Sequence, residues 1–321
     1  MAKVVVTGGA GFIGGHVVEK LAKAGHEVIV YDKMAPRFKL PDSCTHVFGD
    51  VLDSAHLKLV MRDADFVFHL AAMSNTMDCV KFPEEAVALN CLGTAKVLNA
   101  AYEVGREMPG QTKSVNRPGT PKGMPRVIVA SSILISGIMP DIANDDNLVD
   151  VSKSYHLYVS TKLYQEMLAR DFNRMYGLPY TVLRYGICYG PRMTPGVVAD
   201  VFIEKALKGE PLTLDGGGEQ WRQYLYVEDL AEAHVAVLAP EAENQTYNVT
   251  KMDKVRIIDI AEAIRAEIPG TDVTVTPARS HDIDVDLLTD TKIREELGWE
   301  AKTSLQEGIR KTIAWYKGRG F

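Results

Sequence analysis

A glycine-rich turn between an apolar strand and a helix, TGGAGFIGGH at residues 7–16, constrains the fold of this chain most strongly. Gly8, Gly11 and Gly14 follow the strand pattern KVVVT directly and are spaced three residues apart. Glycine has no Cβ atom, so it permits a tight strand-to-helix turn and close packing of the helix against the strand. The stretch therefore predicts the first part of a βαβ unit, whose two strands run parallel.

The same alternation of β-branched runs and amphipathic stretches continues along the chain. Further strands are predicted at 27–32, 46–50, 65–71, 126–132, 179–186 and 224–227, and helices at 12–24, 83–103, 155–176 and from about residue 229. This order predicts an α/β fold of the Rossmann type, in which helices cover a doubly wound parallel sheet.

Two domains are predicted from the distribution of these elements. The Rossmann domain comprises residues 1–186 plus about 222–250. A smaller substrate-binding α/β domain comprises about 187–221 plus 251–321, where the elements are shorter and richer in Pro, Gly and charge. The Pro- and Gly-rich stretch 105–126 is predicted to be an irregular surface loop at the sheet edge away from the ligand; a partner contact and disorder are both open.

Composition favours a small-molecule ligand. The net charge of −6 and the scattered basic residues offer no surface that would attract nucleic acid or an anionic membrane. No apolar run approaches the roughly 20 residues that span a bilayer, and the N-terminus lacks a signal-peptide pattern, so we expect a cytoplasmic protein. The four cysteines have no metal-type spacing, and no metal site is predicted. They are Cys44, Cys79, Cys91 and Cys188.

The glycine turn also indicates a dinucleotide site. A helix N-terminus offers free N–H groups and a favourable dipole to a pyrophosphate. Asp32 ends the second strand about 20 residues later, where a carboxylate accepts hydrogen bonds from ribose hydroxyls and repels a 2′-phosphate. NAD is therefore the predicted cofactor, although Lys33 and Arg37 leave NADP open. Asp50 ends the third strand, where it is placed to meet the adenine or to cap a helix.

A reactive pair is predicted on the long helix at 155–176. Tyr158 and Lys162 are four residues apart, so both side chains lie on one helix face. An ammonium group near a phenol favours the phenolate, and we expect Lys162 to lower the pKa of Tyr158 toward neutrality. Ser131 and Ser132 end the strand at 126–132, next to this helix in the predicted fold.

These motifs together resemble those of the extended short-chain dehydrogenase/reductases, in particular the NAD-dependent nucleotide-sugar epimerase and dehydratase group that includes UDP-glucose 4-epimerases. The similarity extends from Lys3 to about residue 309. The motifs that carry it are TGGAGFIG, HLAA at 69–72, the serine pair, Tyr158-x-x-x-Lys162, LRYGICYGPR at 183–192 and GGGEQWRQYLYVEDLA at 216–231.

The resemblance implies a role for each motif. Ser132 would hydrogen-bond the reacting oxygen, Tyr158 would act as acid and base, and Lys162 would hold the nicotinamide ribose. His69 is expected to pack rather than react. A substrate diphosphate would meet Arg192, Arg222 and Arg279. The predicted cofactor-binding residues are Gly8, Gly11, Phe12, Ile13, Gly14, Asp32, Lys33, Asp50, Val51, Leu70, Ala71, Ala72, Asn90, Ser131, Tyr158, Lys162 and Tyr185. Relatives commonly form homodimers through helices matching 84–104 and 155–176.

Three motifs depart from the pattern of this group. RYFN reads RYGI at 184–187, GDG reads GGG at 216–218, and RDF reads RQY at 222–224. Ile187 thus occupies the position of an Asn that usually contacts substrate. The absence of a side chain at Gly186 suggests a roomier sugar pocket. The substrate is therefore expected to have an unusual sugar or nucleotide, or no nucleotide.

The residues after Ser132 separate the possible reactions. Dehydratases and decarboxylases of this group have an acid there, whereas this chain has Ile133 and Leu134, which cannot transfer a proton. One acid/base and one hydride acceptor suit inversion at C4 of a nucleotide-diphosphate hexose through a 4-keto intermediate. A keto-sugar reductase or alcohol dehydrogenase, a dehydratase and a non-catalytic NAD-binding sensor are the alternatives.

Overall fold

The computed structural model describes residues 1–107, 123–135, 156–277 and 287–319. Within them the strands are β1 (Lys3–Thr7), β2 (Glu27–Asp32), β3 (Cys44–Phe48), β4 (Phe66–His69), β5 (Arg126–Ser132), β6 (Tyr180–Tyr185), β7 (Ile187–Tyr189), β8 (Leu212–Asp215), β9 (Trp221–Arg222), β10 (Tyr224–Tyr226), β11 (Gln245–Val249), β12 (Val255–Arg256) and β13 (Val273–Thr276). The helices are α1 (Phe12–Lys23), α2 (Ser54–Met61), α3 (Thr76–Lys81), α4 (Pro83–Val87), α5 (Gly93–Glu107), α6 (Leu157–Tyr176), α7 (Val198–Leu207), α8 (Val227–Ala236), α9 (Ile257–Glu267), α10 (Thr291–Leu297) and α11 (Leu305–Lys317).

Seven parallel strands form the central sheet, in the order β3-β2-β1-β4-β5-β6-β11. The chain leaves β1 toward β2 and β3, and then returns to add β4 on the opposite side of β1. Open α/β sheets bind ligands at such a reversal, outside the carboxyl ends of the strands. The predicted α/β fold class is confirmed, and the reversal places a crevice beside the glycine turn.

Alternating side chains on β1 build a core on each face of the sheet. Val4 and Val6 pack into one apolar cluster with Val17 and Leu21 of α1, while Val5 packs into the other. All three valines are fully buried, because helices cover both faces of this strand. This explains why the strand appears in the sequence as a continuous apolar run.

A third apolar cluster lies among α7, α9 and α11. It includes Ile203, Ile260 and Ile313, together with Tyr189 and Tyr226 from the short β7–β10 pair. These residues come mainly from the segments that the sequence assigns to a substrate-binding domain. The exact domain boundaries stay a prediction.

The helix predicted at 83–103 is longer and is interrupted. It continues to Glu107, and one π-helical turn, Ala88–Leu92, separates α4 from α5. Asn90 lies in this turn and is fully buried. Its side-chain amide accepts a hydrogen bond from the N–H of Met73 and donates one to the carbonyl oxygen of the same residue. Such turns often mark functional sites. Residues 108–122, most of the predicted 105–126 loop, lie outside the described residues.

Exposed apolar side chains lie on α4, on the π-helical turn that follows it and on α6, within the two helical segments from which the sequence predicts a homodimer. Val87 and Leu92 are 45% and 50% exposed, and Tyr164 and Met167 on α6 are 42% and 51% exposed. The homodimer stays a prediction. None of the helices in the described part of the chain is both long and apolar enough to cross a membrane.

Among the buried histidines, His69 and His234 make acid pH destabilising. His69 bonds Thr7 and Thr94, and burial lowers its pKa to about 3. His234 forms hydrogen bonds with the carbonyl oxygen of Leu230 and the hydroxyl of Tyr185, and burial lowers its pKa to about 4. Both pKa values lie below the ordinary value near 6.5, so the unfolded chain binds more protons as the pH falls below 6.5.

We expect the free energy of unfolding to fall by roughly 2 kcal/mol for each of these histidines between pH 7 and pH 5. Urea denaturation at half-unit pH steps measures this loss. A His234→Gln variant should show a shallower decline, because its amide cannot take up a proton. A flat stability profile over this range in the unaltered protein would contradict the assignment.

Candidate active site

The glycine turn forms a cradle that only glycine fits. A Cβ at Gly14 would lie 2.2 Å from the carbonyl oxygen of Gly8. Gly8 has a φ of 72°, and a Cβ there would lie 2.7 Å from the backbone nitrogen of Ala71. Helix α1 begins directly after this turn with no side-chain cap and no acidic residue in its first turn. Its N–H groups can therefore donate hydrogen bonds to an anion such as a pyrophosphate.

A groove of about 330 Å³, the cofactor groove, runs from this cradle along the carboxyl ends of the strands. Its volume is within the size range of small-molecule sites. The structure brings sixteen of the predicted cofactor-binding residues to its wall. They are Gly8, Gly11, Phe12, Ile13, Gly14, Asp32, Lys33, Asp50, Val51, Leu70, Ala71, Ala72, Ser131, Tyr158, Lys162 and Tyr185. Asn90 is the exception, because its amide faces Met73 and Thr161.

Asp32 is held at one end of this groove by backbone hydrogen bonds. Its two carboxylate oxygens accept from the N–H groups of Ala10 at 3.0 Å and Met34 at 2.9 Å. Each oxygen retains a lone pair that can accept from a ribose hydroxyl, and the charge disfavours a 2′-phosphate. Asp50 also lines the groove, and its Oδ1 accepts from the N–H of Leu52.

The reactive groups meet where this groove joins a second pocket. Tyr158 lines both spaces, Lys162 lines the cofactor groove, and Ser132 lines the second pocket. Burial raises the pKa of Tyr158 to about 12, while a hydrogen bond with Ser132 lowers it. The tyrosine is thus a proton donor in this state.

Lys162 does not act on Tyr158 as the sequence suggests. Its Nζ donates to the carbonyl oxygen of Ala130 at 2.8 Å and lies 5.8 Å from the centre of the Tyr158 ring. Burial lowers the pKa of Lys162 to about 8. The expected fall in the pKa of Tyr158 does not occur in this state, because loss of hydration outweighs the hydrogen bond with Ser132.

A buried carboxylate holds the elements that carry these groups. Glu166, one turn after Lys162 on α6, accepts from the hydroxyl of Ser131 at 2.6 Å and from Nε and Nη2 of Arg184 at 3.0 Å. Ser131 is the second-last residue of β5, and Arg184 lies opposite it on β6. Glu166 thereby joins two strand ends to the helix of Tyr158.

The second pocket, of about 430 Å³, is lined mainly by apolar and hydroxyl groups. Its walls include Ile133, Leu134 and Ile187, beside Ser132 and Tyr158. Among the described residues that line it, no Asp, Glu, His, Lys or Arg occurs. Cys188 also faces it, and burial raises the pKa of that thiol to about 12. Tyr158 is therefore the group there that is best placed to exchange a proton with a bound ligand.

Two of the three predicted diphosphate-binding arginines do not line either pocket. Arg192 forms an ion pair with Glu19 on α1, and Arg222 donates to the carbonyl oxygen of Trp221. Arg279 lies outside the described residues. The roles predicted for these arginines stay predictions, and the structure shows that Arg192 has another partner.

Several lining residues escaped sequence reasoning. Ser74 and Thr194 line both pockets, and Cys188 lines the second. Thr194 follows the YGPR motif in an irregular loop, and no spacing rule places a loop side chain at a site. Cys188 lies inside the LRYGICYG motif, next to Ile187. This position in the motif is the sequence feature that could have indicated a lining residue. Across the described ranges, no group of three or more His, Cys, Asp or Glu side chains could hold a metal ion.

Gly186 lines the second pocket and also packs closely against a neighbouring segment. The roomier sugar pocket stays a prediction. A Cβ at this position would lie 2.8 Å from Oγ1 of Thr250 and 3.4 Å from the carbonyl oxygen of Gln223. The glycine therefore permits close packing against the end of β11. Ile187 does line the second pocket, where the sequence predicts loss of a polar substrate contact.

Comparison with known proteins finds relatives that are named as nucleotide-sugar enzymes. A model of the NAD dependent epimerase/dehydratase family matches residues 4–250. A UDP-N-acetyl-alpha-D-glucosaminuronate decarboxylase of Bacillus cytotoxicus is 28% identical over 340 residues, which cover 98% of each protein. A putative UDP-glucose 4-epimerase of Methanocaldococcus jannaschii is 28% identical over 328 residues, again 98% of each.

Solved structures show the same fold over almost the whole chain. The UDP-glucose 4-epimerase of Thermotoga maritima with UDP-glucose superposes with a TM-score of 0.82 at 27% identity, covering 99% of both chains. The UDP-glucose 4-epimerase of Thermus thermophilus in complex with NAD superposes with a TM-score of 0.79 at 28% identity, covering 98% of this chain and 99% of that one.

The packing of Gly186 can be tested by paired substitutions. Gly186→Ala should lower the free energy of unfolding by about 1–3 kcal/mol, because the added methyl group meets Thr250. Thr250→Ala removes an Oγ1 that is buried without a partner among the described residues, so it should restore most of the loss in the double variant. Chemical denaturation measures both effects. Unchanged stability in Gly186→Ala would contradict this packing.

Proposed function

The chain belongs to the NAD dependent epimerase/dehydratase family, and we propose that it inverts C4 of a nucleotide-diphosphate hexose through a transient 4-keto intermediate. The family resemblance seen in the motifs is confirmed, and so is NAD as the cofactor. The relatives include epimerases, dehydratases and decarboxylases, so the reaction must be argued from the site itself.

One observation carries the choice of reaction. Ile133 and Leu134 lie in the wall of the second pocket, directly after Ser132 and beside Tyr158. Elimination of water needs a second proton carrier near the sugar, and an aliphatic side chain cannot provide one. The protonated thiol of Cys188 is a poor base for the same purpose, since burial raises its pKa. A single acid/base residue is sufficient for inversion at C4.

In its phenolate form Tyr158 takes the proton from the C4 hydroxyl, and it later returns that proton. Ser132 hydrogen-bonds the same oxygen, both as a hydroxyl and as the ketone. Bound NAD supplies a hydride acceptor and donor at C4. Because burial raises the pKa of Tyr158, the phenol holds its proton firmly in the ligand-free state. Proton transfer therefore depends on the charges that the bound ligands bring to this site.

Residues of the groove hold the cofactor in this proposal. Gly8, Gly11 and Gly14, with the N-terminus of α1, hold the pyrophosphate. Asp32 accepts from the adenosine ribose, and Lys162 donates to the nicotinamide ribose. The position of these residues along one groove supports the assignment, since a dinucleotide must contact the cradle and Tyr158 at once.

A nucleotide-diphosphate hexose is the proposed substrate because the Thermotoga maritima epimerase binds UDP-glucose in the same fold. The apolar wall formed by Ile133, Leu134 and Ile187 also suits a sugar that turns over during the reaction. Fixed polar contacts would hold the 4-keto sugar in one orientation, whereas apolar contacts hold it less specifically.

A substrate panel tests the reaction. UDP-, dTDP-, GDP- and CDP-hexoses are incubated with the purified protein, and the products are followed by NMR. Inversion at C4 without net consumption of NADH is expected, with NAD(H) released from the protein on denaturation. Dehydration of any sugar, or net consumption of NADH, would show a dehydratase or a reductase instead.

Tyr158→Phe tests the acid/base assignment. Removal of the hydroxyl should lower kcat by at least about 100-fold, the usual contribution of a positioned proton carrier. The protein should still bind NAD, because the glycine cradle and Asp32 are unaltered. Turnover and NAD titration are measured on the same preparation. Loss of NAD binding together with activity would indicate a structural role for the hydroxyl.

A further inference from the structure

We propose that Arg192 and Glu19 close a clasp beside the cofactor groove and so slow the release of bound NAD. The clasp consists of His16 and Glu19 on α1, Pro191 and Arg192 in the loop after β7, and Phe38 in the loop after β2. The inference rests on NAD binding, which the family establishes, and does not depend on which reaction the protein catalyses.

The ion pair at the centre of the clasp has the geometry of a specific contact. Nη1 and Nη2 of Arg192 donate to the two carboxylate oxygens of Glu19 at 2.8 and 2.7 Å. Such a two-pronged contact fixes orientation as well as distance. The Arg192 side chain is 15% exposed and that of Glu19 is 39% exposed, so water and salt screen the pair less than a pair with two fully exposed partners.

Further contacts hold the same three segments together. Nε2 of His16 bonds the carbonyl oxygen of Pro191 at 2.9 Å. The guanidinium of Arg192 also lies over the ring of Phe38, 4.6 Å from its centre. Phe38 in turn packs against Gly15, where a Cβ would come within 2.7 Å of the ring. The loop after β7 is thereby attached both to α1 and to the loop after β2.

Each of these segments also supplies part of the cofactor groove. The first turn of α1 lines it through Phe12, and the end of β2 lines it through Asp32. The loop after β7 lines it through Thr194, two residues beyond Arg192. Separation of this loop from α1 would widen the groove where these two segments meet. The clasp therefore opposes the movement that release of a dinucleotide requires.

The backbone at Arg192 gives a second, independent indication. Its φ is 68°, in the left-handed region where glycine is the usual residue. A residue with a long side chain persists at such a position when its surroundings favour it. Here the favourable contacts are those with Glu19 and Phe38. The conformation directs the guanidinium toward α1, whereas the sequence predicts that it grips a substrate diphosphate.

Slow release of NAD suits a reaction in which the hydride returns to the same sugar. The keto sugar must be reduced again before the site loses its cofactor. A clasp built from side chains outside the reactive centre can prolong the residence of NAD without altering Ser132, Tyr158 or Lys162.

Paired substitutions with a matched control test the clasp. Glu19→Gln and Arg192→Met each remove one half of the ion pair. Glu232→Gln is the control, because Glu232 on α8 pairs with Lys20 of α1 at 2.8 Å and also loses one negative charge. The release rate of prebound NADH is followed by its fluorescence on displacement with excess NAD. Thermal unfolding confirms that each variant is folded.

Release should be at least tenfold faster in Glu19→Gln and in Arg192→Met, and within twofold of the unaltered protein in Glu232→Gln. The double variant should release NADH no faster than the faster single variant, because both changes break one interaction. An unaltered release rate in folded Glu19→Gln would overturn the proposal. An Arg192→Met variant that raises only the KM for a nucleotide sugar would also overturn it, because that result would indicate that Arg192 binds the substrate.

Discussion

The site depends on one buried carboxylate. Glu166 accepts from Ser131 and Arg184 and lies on the same helix as Tyr158 and Lys162, one turn beyond the lysine. A buried charge is tolerated only when its hydrogen bonds are satisfied, and here the partners come from two strands and from Arg170 on α6 itself. Satisfying Glu166 therefore sets the position of α6 against the ends of β5 and β6, and the reactive groups are carried into place with it.

Burial then determines the state of those groups. The same apolar surroundings raise the pKa of Tyr158 to about 12 and lower that of Lys162 to about 8, which favours the uncharged form of both. Ser132 acts in the opposite direction on Tyr158 through its hydrogen bond. In the ligand-free state this site therefore keeps its tyrosine protonated.

Much of the fold and cofactor groove could be predicted from sequence, because both depend on local rules. Continuous apolar runs such as Val4–Val6 indicate strands covered on both faces, and the spacing of Gly8, Gly11 and Gly14 indicates the cradle. Parallel strands bring their carboxyl ends to one edge, so residues at strand ends converge. Asn90 departed from this pattern because it lies in a π-helical turn, which no periodicity indicates.

The amino-acid sequence by itself determined the order of strands and helices, the glycine cradle and the types of reactive group. Only the tertiary structure decided which charges meet. It paired Arg192 with Glu19, 173 residues earlier in the chain, and directed Lys162 toward Ala130. It also packed Gly186, which lines the second pocket, closely against Thr250. Electrostatic and steric contacts depend on distances of a few ångströms between segments, and spacing along the chain carries no such distances.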